Sequence, residues 1–360
     1  MAESLAKRLK VSAQTAGPVI GTHNGYFHAD EALAVHMLRM LPTYQHSPVV
    51  RTRDAAVLAT CHTVVDVGGE YDAERNRYDH HQRGFDVTFA GRTATKLSSA
   101  GLVFVHFGHA IIAQRMGEGV EQDAPQVGMV HQKLYQAFIE PLDAHDNGVA
   151  AYDGKALAAA GISKRFSDAG FTLGAMVARL NRNWNDARPD DAAESQRQED
   201  ACFMAASKRI GEEFERDLDY YISAWLPARA IVEQAYSQRH ALDPRGRVIV
   251  FAAGAVAPPW KDHLFTLEEE QDPATEPVLY ALNPENTSEG SKWRIQCVPV
   301  AKDSFESRKP LPEAWRGLRD QELDAVTGIP RGVFVHNAGF VGGNCTFEGV
   351  KQMALKALAS

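Results

Sequence analysis

Three short apolar runs, Val19-Ile20-Gly21-Thr22, Pro48-Val49-Val50-Arg51-Thr52 and Val64-Val65-Asp66-Val67, alternate with stretches of helical periodicity. Asp30 to Leu41 places Leu33, Met37, Leu38 and Leu41 on one face of a helix, and a second helical stretch begins near Asp54. Strand–helix–strand units of this length impose a parallel sheet, because parallel neighbours need a crossover that a helix fills. The expected fold class is therefore α/β, a mostly parallel sheet with helices on both faces. Functional groups in such sheets gather beyond the carboxyl ends of the strands. His23, Asp66 and the segment Tyr78-Asp79-His80-His81 all fall there.

A chain of 360 residues is long enough for two cores. Residues 1–17 read as a tail and 18–190 as the parallel-sheet domain. Residues 191–243 read as a charged helical connector, and 244–360 as a smaller C-terminal α/β domain. In that last part the strand runs Val248–Phe251, Val278–Ala281, Trp293–Val298 and Val333–His336 precede a Gly-rich turn and a helix from Glu348 to Ala357.

Composition narrows the function. The net charge of −8 opposes nucleic-acid binding through a broadly basic surface, so a nucleic-acid substrate would have to meet metal ions and a local basic patch. The scattered cysteines (Cys61, Cys202, Cys297, Cys345) form no Cys-x-x-Cys pair, which disfavours a disulfide framework or a structural zinc site and favours a reducing compartment. No apolar run has the length of a membrane span, and no secretory core stands at the N-terminus. Lys7, Arg8 and Lys10 against Glu3 leave two readings, a frayed basic tail and a weak mitochondrial presequence, of which the first is preferred. Asn286-Thr287-Ser288 matches a glycosylation sequon and reads as a turn.

The residues with chemistry cluster in the first half. His23, His28 and Asp30 lie in a loop that leaves a strand and enters a helix. Asp66 sits among valines, where an unpaired charge is costly and a metal ion would stabilise it. Asp79-His80-His81 places two imidazoles on opposite faces if the segment is extended, and Asp79 can orient one of them. Asp143 and Asp146, in Leu142-Asp143-Ala144-His145-Asp146-Asn147-Gly148, offer further carboxylates, either of which could complete a second metal site. Imidazoles and carboxylates in this mixture suit hard-to-borderline divalent ions such as Mn²⁺, with Mg²⁺ second. Ser98 reads as a helix N-cap.

These residues resemble the DHH phosphoesterase superfamily, whose first motif is His-x-x-x-Asp-x-Asp. The counterpart here, His23 to Asp30, is one residue longer and has His28 where an Asp is usual. That departure resembles one branch, the Myg family of DHH-like 3′-5′ exonucleases. The likeness continues through Val65-Asp66-Val67-Gly68-Gly69, Leu97-Ser98-Ser99-Ala100-Gly101, Asp146-Asn147-Gly148, Trp260-Lys261-Asp262-His263, Trp315-Arg316-Gly317 and Gly339-Phe340-Val341-Gly342-Gly343. Asn344 stands where a His is expected after the paired glycines. The resemblance implies manganese-dependent RNA exonuclease activity on single-stranded RNA or short oligonucleotides, and mitochondrial or nuclear residence.

On this footing two Mn²⁺ ions are expected, one on His23, His28 and Asp66, the other on Asp30, Asp66, His80 and either Asp143 or Asp146. His81 would face the scissile phosphate, as contact or proton donor, with Asp79 beside it. Basic residues between Lys292 and Arg319 outnumber acidic ones, and Arg308, Lys309 and Arg316 are the expected phosphate contacts. His336 and a Gly342-Gly343 turn are expected to touch substrate as well, the turn through bare amides. Trp260, Trp293 and Trp315 read as core aromatics before base-stacking platforms. Two rivals remain: a hydrolase of small phosphates such as pyrophosphate or dinucleotides, and a non-catalytic binding protein on the same fold. Homo-oligomerisation stays open.

Overall fold

A computed structural model describes residues 17–90, 95–167, 169–251, 256, 258–271 and 275–360. The expected tail, with Lys7, Arg8 and Lys10, lies outside the described residues apart from Gly17. The chain divides into two compact units, the first ending at Ile222 and the second running Ser223–Ser360.

The first unit is built on strands β1 (Ile20–Thr22), β2 (Val49–Arg51), β3 (Thr63–Val65), β4 (Tyr71–Asp72) and β5 (Arg77–Tyr78), in the spatial order β2-β1-β3-β5-β4. β1 pairs in parallel with β2 and β3, and β3 with β5; only the edge strand β4 is antiparallel. Helices α1 (Ala29–Met40) and α2 (Ala55–Leu58) supply the first crossovers. Leu58 and Cys61 pack on Val64 with Val19, Val50 and Val67. Ile20 and Val65, which point to the opposite side by strand alternation, are fully buried. Both sheet faces are thus apolar, as a parallel sheet requires.

α1 carries its acids Asp30 and Glu31 in the first turn, where the helix dipole favours them, and Arg39 in the last. It stops at Leu41, the residue before Pro42, whose ring disfavours a helical conformation there. α3 (Ser99–Met116), α4 (Pro125–Leu134), a π-helical turn (Tyr135–Ile139) and α5 (Glu140–Asp146) follow, then the short α6 (Gly154–Ala159) and α7 (Leu173–Ala178). Ser98 caps α3, its Oγ accepting from Gly101 N at 3.4 Å.

The stretch expected as a connector is divided between the units. α8 (Ala192–Tyr220) buries Phe203, Ile210, Phe214 and Leu218, and Ser207 Oγ donates to Ala32 O at 2.7 Å. This apolar stripe seats α8 on α1 as part of the first core. α9 (Leu226–Ser237) belongs to the second unit, packed with α10 (Lys261–Glu269) around Val232, Phe251, Trp260 and Leu264.

The second sheet has the order β6-β7-β8-β10-β9, from β6 (Val248–Val250), β7 (Tyr280–Pro284), β8 (Trp293–Cys297), β9 (Gly332–Val335) and β10 (Val341–Asn344). β6 and β7 are parallel and the other pairs antiparallel. α11 (Asp320–Thr327) and α12 (Phe347–Ala359) complete this smaller α/β unit, whose core includes Tyr280, Ile295, Trp315 and Met353. No helix among the described residues is long and apolar enough to cross a membrane.

Candidate metal centre

The carboxyl ends of the parallel strands bring the first-half residues to one place. His23 directly follows β1, Asp66 follows β3 and Asp79 follows β5. The loop from His23 to His28 is clamped at both edges. Asn181 donates from Nδ2 to Phe27 O at 2.8 Å and accepts from Phe27 N at 3.0 Å. The Arg51 guanidinium, stacked between Phe27 and Phe203, donates to Gly25 O at 2.7 Å.

Asp66 does not continue the strand as the apolar run suggested. Its φ of 58° lies in the left-handed region, uncommon for a residue with a Cβ. That turn aims the carboxylate away from the sheet and into a ring of imidazoles. Asp66 Oδ2 is 3.5 Å from His23 Nε2 and 3.4 Å from His28 Nε2, while Oδ1 is 3.6 Å from His80 Nε2 and 3.5 Å from His81 Nδ1. Strained backbone at a buried carboxylate ringed by imidazoles is the pattern of a functional position.

The tripeptide differs from the extended picture. His80 and His81 do not point to opposite faces; their ring centroids are 4.4 Å apart and both approach Asp66. The chain leaves regular strand geometry after Tyr78, so the two-residue alternation no longer applies. Asp79 accepts from Gly69 N at 2.5 Å, and its Oδ1 lies 2.7 Å from His81 Nδ1, where the ring nitrogen donates. It therefore orients His81 and braces the turn at Gly68 and Gly69.

Three overlapping sets of ligand atoms lie within 4.8 Å of one another: His23, His28, Glu31 and Asp66; Asp66, His80 and His81; Asp30, His80 and Asp146. Asp66 joins the first two sets and His80 the last two. His23 Nε2, His28 Nδ1, Asp66 Oδ2 and His80 Nε2 are buried and form no directed hydrogen bond among the described residues, although carboxylate oxygens surround them. Buried polar atoms gathered around shared space and unsatisfied by one another are what metal ligands present without their ions. The donor set, neutral-capable imidazoles with carboxylates, fits divalent ions of the Mn²⁺ type.

Asp30 is fully buried at the start of α1 and accepts from Ser98 Oγ at 2.5 Å, Ser99 N at 3.0 Å and Ala100 N at 2.6 Å. The N-terminus of α3 thus holds it from behind. Asp143 stands one layer further out. It accepts from Ser98 N at 3.0 Å and Tyr135 OH at 3.0 Å, its Oδ1 lies 2.7 Å from Ser98 Oγ, whose one proton serves it or Asp30, and it belongs to none of the three sets. Gly101 makes room for it, since a Cβ there would collide with the Asp143 carboxylate. Asp146, one turn along α5, reaches His80 Nε2 at 3.1 Å and His28 Nδ1 at 3.5 Å.

Electrostatics follow from this packing. Burial lowers the affinity of the His23 and His80 rings for protons, but the facing carboxylates outweigh it. His23 is pushed up to about 10 by Asp66 and Glu31, and His80 to about 11 by Asp146 and Asp66. Asp66, despite its burial, is held below the usual carboxylate range by His23 and His80. Burial pushes Asp143 up to about 7, and burial with Asp146 and Asp66 nearby raises Asp30. The Asp79 contact raises His81.

Two residues of this centre escape a reading by sequence. Glu31 is fully buried, with Oε1 at 3.0 Å from His23 Nε2 and Oε2 at 3.0 Å from His28 Nδ1, and it accepts from His28 N. Its position three after His28, in a first helical turn, is the one available signal and is shared by ordinary capping glutamates. Arg53 lines a cleft of about 330 Å³ over the cluster together with His23, His28, Asp66, Asp79 and His81.

The expected substrate contacts of the second unit are placed differently. Arg308 makes a bidentate pair with Glu268, at 2.9 and 2.8 Å, and stacks on Phe265. Lys309 Nζ donates to Leu358 O at 3.4 Å and Arg316 Nε to Leu311 O at 3.0 Å. These groups are engaged in holding the unit together. Gly342 and Gly343 form no turn; they lie inside β10, paired on both sides with β8 and β9, so the strand's amides serve the ladder. A Cβ on Gly342 would sit 3.1 Å from Leu311 Cδ1, which explains the small residue without a ligand. His336 Nδ1 accepts from Ala338 N at 3.1 Å and its ring packs on Phe340. Asn344 is buried and donates to Pro330 O at 2.9 Å. Trp260 and Trp315 are core residues, and Trp293 is half-buried against Phe347.

Residues 19–358 match the model of the family described as "Uncharacterised protein family (UPF0160)", labelled MYG1 exonuclease. The human protein named MYG1 exonuclease is 48% identical over 349 residues, covering 96% of this chain and 86% of that one. The MYG1 protein of Caenorhabditis elegans is 44% identical, covering 94% and 95%. That of Saccharomyces cerevisiae is 38% identical, covering 98% and 99%. With residues 19–358 matched by the family and relatives this similar covering 94–98% of it, the chain belongs to the MYG1 family.

Proposed function

We propose that this protein is a metal-dependent phosphodiesterase of the DHH type, acting as a 3′-5′ exonuclease on single-stranded RNA. The observation that carries this reading is the ring of buried, mutually unsatisfied ligand atoms around Asp66, open to a cleft lined by Arg53 and His81. The printed names of the mammalian relatives, exonucleases, support the substrate class.

One ion would be held by His23, His28, Asp66 and Glu31, the other by Asp30, Asp66, His80 and Asp146, with Mn²⁺ favoured by the share of imidazole ligands. Bound there, divalent ions would polarise the phosphoryl oxygens and offset charge that develops on them. The chain's own groups do the rest. Asp143 fixes Ser98 and Ser98 fixes Asp30. Glu31 sets the His28 ring. Asp79 accepts a hydrogen bond from His81 Nδ1–H and raises the proton affinity of the ring, so that the imidazolium form carries its second proton on Nε2, where it can pass to a leaving oxygen. Arg53 offers a guanidinium to a phosphate in the same cleft.

The test is a panel of end-labelled single-stranded RNA, DNA of the same sequence, dinucleotides and pyrophosphate, incubated with Mn²⁺ and either wild type or His80→Ala. Stepwise shortening of RNA from the 3′ end, lost in His80→Ala, is expected. Turnover of pyrophosphate alone would replace this reading with that of a small-phosphate hydrolase. Bound metal without turnover of any substrate would favour a binding protein.

A further inference from the structure

Beside the cluster lies a second, larger cavity of about 720 Å³, within the size range of small-ligand pockets. It shares His28, Asp30 and Asp146 with the metal centre. Its walls are apolar, from Phe138, Leu142 and Leu173, and Tyr26 lines it as an aromatic ring 64% exposed. It also receives Glu213 and Asp217 from α8, which contribute to none of the metal-ligand sets. Glu213 is paired with Arg209 and Arg216. The Asp217 carboxylate forms no hydrogen bond or ion pair among the described residues, and burial with Glu213 nearby raises its proton affinity.

We propose that this cavity seats the terminal nucleobase of the substrate and selects bases that carry an amino group. The inference rests on the nucleic-acid reading above and adds where the base goes and what distinguishes it. A phosphate is disfavoured there, because Glu213 and Asp217 line the space beside the ligand carboxylates Asp30 and Asp146, and no lysine or arginine among the described residues lines it. A neutral, flat, apolar-faced group is not repelled. Phe138 and Leu173 accept its faces, and Tyr26 offers a ring of the kind on which bases stack. An ionised carboxylate only accepts hydrogen bonds. Adenine N6, cytosine N4 and guanine N1 and N2 are donors that satisfy Asp217. Uracil presents one ring N–H between two carbonyl oxygens, so a carboxylate meets acceptors on either side. The site therefore ranks A, C and G above U, while the metal centre handles the phosphodiester common to all.

The experiment uses short single-stranded RNAs identical except for the terminal nucleotide, with Mn²⁺-loaded wild type, Asp217→Asn and Ala178→Leu, the last narrowing the cavity from α7. Wild type is expected to favour terminal A, C or G over U by about tenfold in kcat/KM, the scale of one charge-assisted hydrogen bond. In Asp217→Asn the A-to-U ratio collapses or inverts, because an amide also donates and can satisfy uracil O4. In Ala178→Leu purine ends lose more than pyrimidine ends. Damage to the fold or to metal loading lowers all four substrates together and leaves their ratios alone. Equal kcat/KM for the four ends in wild type, or ratios unchanged in both variants, overturns the proposal. Calorimetric binding of adenosine and uridine monophosphates gives a second readout that needs no turnover. If RNA is not hydrolysed at all, the functional reading fails, and equal affinities for the two nucleotides then overturn the base pocket separately.

Discussion

Asp143 and Asp146 are three residues apart on one helix, and the structure assigns them different work that substitution can separate. Asp143 receives hydrogen bonds from Ser98 N and Tyr135 OH and sits with its carboxyl pushed up to about 7 by burial. At neutral pH the neutral acid is already substantially populated, and an amide of the same shape keeps the carbonyl oxygen for Ser98. Asp143→Asn is therefore expected to change folding stability by less than ~1 kcal/mol and Mn²⁺ affinity by less than about tenfold. Asp143→Ala leaves the buried Ser98 N without its acceptor and removes the carboxylate that Tyr135 OH faces. Ser98 Oγ keeps Asp30. One orphaned buried donor predicts a loss of about 1–3 kcal/mol. Asp146→Asn removes an anionic member of the Asp30–His80–Asp146 set, and its metal affinity should fall by more than about a hundredfold at one of two sites with little effect on the metal-free fold. Urea unfolding gives the stabilities, and equilibrium dialysis against Mn²⁺ with elemental analysis gives the stoichiometry. Asp143→Asn emptied of metal while Asp146→Asn stays loaded would refute the assignment.

Further outcomes follow from the same geometry. In the metal-free protein His23 is raised to about 10 and His80 to about 11, so both are cationic at neutral pH and must lose protons before they can ligate. Mn²⁺ affinity is thus expected to rise with pH and uptake to release protons; calorimetry in two buffers of different ionisation enthalpy detects this, and a pH-independent affinity between roughly pH 6 and 8 would contradict it. His131, stacked on Phe104, is lowered to about 4, chiefly by burial. Because its folded value lies below the unfolded 6.5, its contribution is complete above 6.5 and is lost as pH falls toward about 4, by ~3 kcal/mol, so His131→Gln should lose less stability on acidification than wild type. Arg308→Ala strands Glu268 and is expected to destabilise the second unit by ~3 kcal/mol while KM for RNA changes less than about twofold; a large KM effect in a stable variant would restore Arg308 as a phosphate contact. Glu31→Gln should weaken Mn²⁺ binding by about 10–100-fold, read by dialysis, and unchanged binding would make Glu31 a helix cap only.

The parallel sheet was legible because its signal is periodic: apolar runs, helical crossovers, and a polar residue at each strand end. The cluster was legible for a related reason, since strand order alone carries His23, Asp66 and Asp79 to one edge. What escaped depends on single backbone angles. The left-handed Asp66 and the irregular path after Tyr78 bring His80 and His81 together, and no periodicity encodes either. Gly342-Gly343 misleads because paired glycines commonly mark turns; here Leu311 and Arg294 press against a strand that has no room for a Cβ. A count of charges ignores partners: Arg308 is paired with Glu268, which lies 40 residues away in the chain. The α8 stripe of Phe203, Ile210, Phe214 and Leu218 was visible in the spacing, but the density of charge around it resembled a solvated connector.

On the DHH-type reading proposed above, His28 stands where a carboxylate is usual, and Glu31 offsets the charge that is then missing. An imidazole at this position brings a neutral ligand where an anion would have balanced part of a divalent charge. The set His23, His28 and Asp66 alone would hold one anion against two positive charges, and Asp66 is shared with the neighbouring set. Glu31, fully buried and reaching both imidazoles, restores the missing charge without moving the backbone, because residue i+3 of a helix returns to the face of its N-cap. The cost of burying it is offset by the same arrangement: it accepts from His28 N and lies 3.0 Å from a nitrogen of each ring. In the two-ion site proposed above, this share of imidazole would discriminate against Mg²⁺, which favours oxygen ligands and retains its water, more strongly than against Mn²⁺.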